Sequence, residues 1–111
     1  MRRQKRPNVS PGEVVREELA ARGWTQQQFA EVIGRSRQFV SSLLAGRASL
    51  TFDVAFRLEA AFDVSAQTWL RMESLYREEL ERDKIDAIRR SVASRARKLD
   101  SVAETRARYG S

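Results

Sequence analysis

The sequence predicts an all-α protein: five short helices in one compact unit, followed by a charged helical extension. Three observations lead there. Apolar residues recur at three- and four-residue steps from Val14 to Tyr76. A Ser or Thr stands ahead of each such run, at Ser10, Thr25, Ser36, Thr51 and Ser65, where a helix cap belongs. Glycines at 23, 34 and 46 close the first three runs. The length of 111 residues fits one domain with an appendage.

Residues 1–8 carry four positive side chains (Arg2, Arg3, Lys5 and Arg6) and no acid, and read as a flexible basic arm. Ser10-Pro11-Gly12-Glu13 is a helix start: Ser10 caps, Pro11 fits the first helical position and Glu13 completes a capping box. Val14, Val15, Leu19 and Ala20 line one face, and Gly23 ends the helix. Thr25 and Gln28 form a second capping box, with Trp24 placed to pack on Phe29 as a hydrophobic staple. Phe29, Ala30, Val32 and Ile33 are the expected buried side, and Gly34 is the stop.

Ser36 caps the third helix. Val40, Leu43 and Leu44 face the core, while Arg37, Gln38, Ser41 and Ser42 fall on the other side, before a stop at Gly46. Thr51 caps the fourth, buried along Val54, Ala55, Leu58, Ala61 and Phe62. Ser65 caps the fifth, with Trp69, Leu70, Met72, Leu75 and Tyr76 apolar. The compact unit is expected over 9–76.

The extension, 77–111, has ten basic and seven acidic residues and neither Trp nor Phe. Its acids sit mostly early; Arg89, Arg90, Arg95, Arg97 and Lys98 form an acid-free block. Ile85, Ile88, Val92, Leu99 and Val102 follow alternating three- and four-residue steps, interrupted by Arg95.

Composition bounds the chemistry. The chain holds 21 Lys and Arg against 15 Asp and Glu, net +6, which favours a polyanionic partner. Eighteen of the basic residues are Arg. With no Cys and no His, zinc fingers, thiol redox chemistry and His-based acid/base catalysis are excluded. Glu17/Glu18 and Glu78/Glu79 read as solvated helix surface, so no enzyme, cofactor, metal or small-molecule substrate is expected. No apolar run approaches the ~20 residues of a membrane span. No apolar stretch follows the N-terminal cations as in a signal peptide. A cytoplasmic location is expected.

Thr25–Arg47 has the layout of a helix-turn-helix, two short helices joined at Gly34. Thr25-Gln26, Phe29-Ala30, Gly34, Ser36, Val40-Ser41, Leu43 and Gly46 resemble the Xre/Cro-like (lambda-repressor-like) repressor family. Ser10-Pro11-Gly12-Glu13 through Leu19, Leu44–Arg47, Ala55–Leu58 and Trp69-Leu70 further resemble HigA-type antitoxins. Together these cover about 9–76. Asn8-Val9-Ser10 replaces the family's His before Pro-Gly-Glu. Arg35 stands where an apolar residue or Thr is usual, and Phe52 where a proline is common.

In such a reader the third helix enters the major groove with its N-terminal residues at base edges. Arg37 suits guanine O6/N7 and Gln38 adenine N6/N7, with Ser42 one turn later on that face. Phe39 either touches a thymine methyl or packs on a neighbouring helix. Phosphate contacts are expected from Gln26, Arg35, Ser36, Ser41 and Arg47. Such heads pair on inverted repeats of double-stranded operator DNA, so a homodimer is expected. Trp69, Met72 and Tyr76 are candidate dimer contacts, Trp69 alternatively closing the core.

The resemblance implies a HigB/RelE-like toxin as partner and autorepression of a type II toxin–antitoxin operon. A solitary Xre-type regulator and an adaptor whose basic C-terminal helix binds RNA are the alternatives. For the extension, three uses are open: a toxin-type partner on Ile85, Ile88, Val92 and Leu99; nucleic acid on the Arg block; or a coiled-coil dimer arm.

Overall fold

In the computed structural model, residues 9–109 are described. Among them are six helices and no strand: α1 (Pro11–Arg22), α2 (Gln26–Ile33), α3 (Arg37–Leu44), α4 (Phe52–Phe62), α5 (Ala66–Leu80) and α6 (Arg82–Tyr109). The expected basic arm at 1–8 lies outside the described residues. The chain divides into two units, Met1–Glu79 and Leu80–Ser111.

Local chemistry sets the ends of the first unit's helices. Ser10 Oγ accepts from the Glu13 amide at 3.2 Å and Ser36 Oγ from the Phe39 amide at 3.0 Å. Thr51 Oγ1 accepts from Val54 at 3.3 Å and Ser65 Oγ from Thr68 at 3.1 Å. Thr25 and Gln28 bond reciprocally, at 3.0 and 2.8 Å. Each cap contributes about 1 kcal/mol by satisfying an amide with no partner inside its helix. Gly34 ends α2 at φ 70°. There a Cβ would be strained and would meet the Arg57 guanidinium at 3.0 Å.

The core gathers one stripe from each of α1 to α5, with Val15, Phe29, Val40, Leu43, Leu58 and Trp69 the largest fully buried side chains. Phe62 links three rings, its centroid 5.5 Å from Phe29, 5.8 Å from Trp24 and 6.2 Å from Trp69. Trp24 packs against the core, with its ring on Phe62. Leu50, in the loop before α4, is also buried. Two expected core residues face outward: Ala20 is exposed, and Val32 is 53% exposed. At about 100° per residue Val32 falls outside the arc set by Phe29, Ala30 and Ile33.

One close approach fixes how α1 crosses α3. A Cβ at Gly12 would lie 2.3 Å from the Leu43 carbonyl oxygen and 3.0 Å from that of Leu44. Only glycine admits this backbone-to-backbone contact. It locks the start of α1 onto the end of α3.

Candidate nucleic-acid interface

α3 is only eight residues long, and its faces divide sharply. Val40, Leu43 and Leu44 are buried; Arg37, Gln38 and Ser41 are exposed; Phe39 and Ser42 lie between. At helical spacing Gln38 and Ser42 share the face opposite the buried arc. Phe39 borders that arc, beside Leu43, and packs against the core.

Ser36, Gln38, Phe39 and Ser42 line an open concavity of about 420 Å³ with Arg47 and Ala48. The helix thus brings together three of the four expected base readers and two of the expected phosphate contacts. Phe39 is half-buried: it packs against the core and also forms a wall of the concavity. Arg37 is exposed at the first position of α3, and Ser41 is exposed on the adjoining flank; neither lines the concavity. Gln26 is half-buried at the first position of α2. The first amides of a helix have no intrahelical acceptor, so the starts of α2 and α3 both offer donors to an anion.

The other expected phosphate ligands differ in availability. Ser36 spends one lone pair on its cap and stays exposed. Arg35 is tied: its guanidinium pairs with Asp53, which also accepts from Arg57 Nε at 3.0 Å. Arg35 is therefore part of an Arg35–Asp53–Arg57 cluster, with its side chain about one third exposed. Arg47 is exposed in the loop after α3.

That loop is held by groups the sequence does not point to. The Arg47 and Ala48 amides donate to the Ser42 carbonyl at 2.9 and 3.2 Å. Arg77 Nη2 donates to the Gly46 and Ala48 carbonyls, both at 3.1 Å, so it brackets Arg47. Arg77 is itself oriented by Glu73, whose carboxylate accepts from Nε at 2.7 Å. Arg16 donates to the Leu44 carbonyl at 3.3 Å, and Arg57 to the Ile33 carbonyl at 2.7 Å. Carbonyls at the ends of α2 and α3, which lack intrahelical partners, are thereby satisfied by guanidinium groups from α1 and α4.

Of the proposed dimer contacts, Trp69 is corrected: it is completely buried and can offer nothing to a second copy. Trp69 packs its ring against Phe62, and its indole N–H has no partner among the described residues. Met72 and Tyr76 are half-buried on α5. Met72 packs on the core, and the Tyr76 hydroxyl approaches Gly46. In the second unit Ile85 is half-buried while Ile88, Val92 and Leu99 are exposed. No helix of the described residues is long and apolar enough to cross a membrane.

Comparison with known proteins places this architecture. The helix-turn-helix family profile matches residues 15–69. Virulence-associated protein I of Dichelobacter nodosus is 32% identical over 71 residues, 63% of this chain and 66% of that protein, just under two thirds of its length. A Pseudomonas aeruginosa protein solved in complex with its 18-bp operator DNA is 31% identical at a TM-score of 0.59, covering 66% of this chain and 78% of that one. The P. aeruginosa antitoxin HigA, solved with the higBA promoter, is 28% identical at a TM-score of 0.63, covering 74% and 94%.

Proposed function

The chain belongs to the Xre-like helix-turn-helix family, and on that premise we propose that it is a sequence-specific repressor of its own operon, acting as the antitoxin of a HigB/RelE-like toxin. The observation that carries the DNA-binding part is the exposed N-terminal face of α3, with Arg37 and Gln38 at its start and a concavity running from Gln38 to Arg47. Laid in a major groove, this face puts a guanidinium and an amide at base edges, with Ser42 one turn deeper and Phe39 against the groove wall. Gln26, Ser36, Ser41 and Arg47 then meet the flanking phosphates. Repression follows from occupancy alone, as the bound dimer blocks polymerase. Met72 and Tyr76 are the remaining candidates for its contacts. Similarity to an antitoxin solved with its promoter supports the toxin partner, which would be neutralised by stoichiometric binding.

Two measurements test this. Arg37→Ala is expected to weaken operator binding by about 1–3 kcal/mol and to relax one base position. Arg47→Ala should lower affinity evenly across sequences and flatten the salt slope. If footprints and salt titrations of both variants match the parent, α3 is not the reader. For the antitoxin part, the neighbouring reading frame is expressed alone and with this chain. Toxicity relieved by co-expression supports the pairing; repression with no toxic neighbour leaves a solitary regulator.

A further inference from the structure

The second unit carries an apolar pattern that the reading head of α3 does not use. α6 is 28 residues long. Ile85, Ile88, Val92, Leu99 and Val102 occupy the a and d steps of a seven-residue repeat, with Arg95 at the one remaining d step between them. Ile88 and Val92 are 53% and 54% exposed and Leu99 is 70% exposed. From Ile88 to Val102 the apolar seam of this long helix is exposed, and helices of this kind gain most of their stability from packing.

The positions flanking the seam decide what packs there. The e steps are Arg82, Arg89, Ala96 and Ala103, and the g steps are Lys84, Ser91, Lys98 and Thr105. Cations stand at four of these eight positions and acids at none. The helix has acids, but Asp83, Asp86, Asp100 and Glu104 all fall at b or f, away from the seam. Arg89 reaches back to Asp86 at 3.6 Å, which leaves the flank's charge pattern in place.

A second copy of this chain fits poorly. Parallel pairing sets Lys84 against Arg89 of the other copy and brings two Arg95 guanidiniums together in the seam. Antiparallel pairing sets like flank against like flank. Both oppose cation to cation. Nucleic acid would use the cations but leave the apolar side chains in water. We propose that α6 docks along its seam onto an acidic amphipathic helix of another protein, one with apolar residues at its own a and d steps, Glu or Asp at e and g, and a carboxylate facing Arg95. The same flanks select against a cationic toxin at this surface.

The full chain is titrated into labelled synthetic helices of matching length at about 0.15 M salt. One has Leu and Ile at a and d with Glu at e, g and opposite Arg95; a second has Lys at those charged positions. The expected result is binding of the acidic helix at least about tenfold tighter than the basic one. That binding should be lost in a Val92→Asp/Leu99→Asp variant, and Arg95→Glu should shift preference toward the basic helix. Retained operator binding shows that the variants' first unit is folded. The proposal is overturned if the acidic helix does not bind, if both helices bind alike, or if the seam variant binds as well as the parent. It is equally overturned if single-stranded RNA or non-operator duplex displaces the acidic helix, or if ultracentrifugation shows dimerisation that the seam variant abolishes.

Discussion

Arg77→Met keeps the apolar stem of the side chain and removes the guanidinium that brackets Arg47. Three hydrogen bonds are lost: two from Nη2 to the Gly46 and Ala48 carbonyls and one from Nε to Glu73. A hydrogen bond to a charged group contributes about 1.5–3 kcal/mol. The two loop bonds share one nitrogen and count as little more than one. The side chain is 27% exposed, so water replaces part of what is lost. A net destabilisation of about 1–2 kcal/mol follows, with a melting temperature lower by about 4–8 °C per kcal/mol for a domain of this size. Glu73, with its side chain only 13% exposed, is left without this partner, so adding Glu73→Gln should recover part of the loss. On DNA the consequence is separate. The loop carrying Arg47 must then be ordered at binding, and affinity for operator and scrambled duplex should fall together by about tenfold, or 1.4 kcal/mol. The slope of log K against log salt should become shallower by about one if the Arg47 phosphate contact goes with it. Thermal unfolding and fluorescence anisotropy at several salt concentrations read both arms, the latter well below the melting temperature. A variant that melts early yet binds both duplexes with parental affinity and slope refutes the positioning role. A variant with parental melting refutes the energetic reasoning.

Three further outcomes are expected. Gly12→Ala, normally favourable in a helix by up to about 1 kcal/mol, should instead destabilise by about 1–3 kcal/mol, because its Cβ meets the Leu43 carbonyl; a denaturant midpoint at or above the parent's would contradict this. Trp69→Ala should cost about 3–5 kcal/mol by chemical denaturation. Trp69→Phe should cost far less, since the indole N–H has no partner to lose. Phe39→Ala should reduce stability by about 1–2 kcal/mol for its half-buried ring. It should also change preference at one thymine-bearing operator position in a binding-site selection, and an unchanged preference would confine Phe39 to packing.

How far the sequence reaches depends on the range of the interaction. The caps at Ser10, Thr25, Ser36, Thr51 and Ser65 and the stop at Gly34 involve partners a few residues away, so spacing alone reveals them. The exposed arc of α3 is legible for the same reason. Arg16, Arg57 and Arg77 bond carbonyls 24 to 31 residues distant, and nothing near them in the chain signals it. Gly12 reads as an ordinary early-helix residue until α3 is laid across it. Val32 and Phe39 sit at the edges of buried arcs, where a rotation of a few tens of degrees changes the answer. The pairing of Arg35 with Asp53, 18 residues on, has no local signal either.

The arginine clusters have a consequence for charge-preserving redesign. Replacing every arginine of the first unit by lysine would leave its net charge and its long-range field unaltered. The planar fork by which Arg77 and Arg57 each reach a backbone carbonyl and a carboxylate at once would be gone. Such a protein would move identically in an electric field and still lose the pins on both helices of its reading head. In this fold the arginine content is a requirement of shape as well as of attraction to a polyanion.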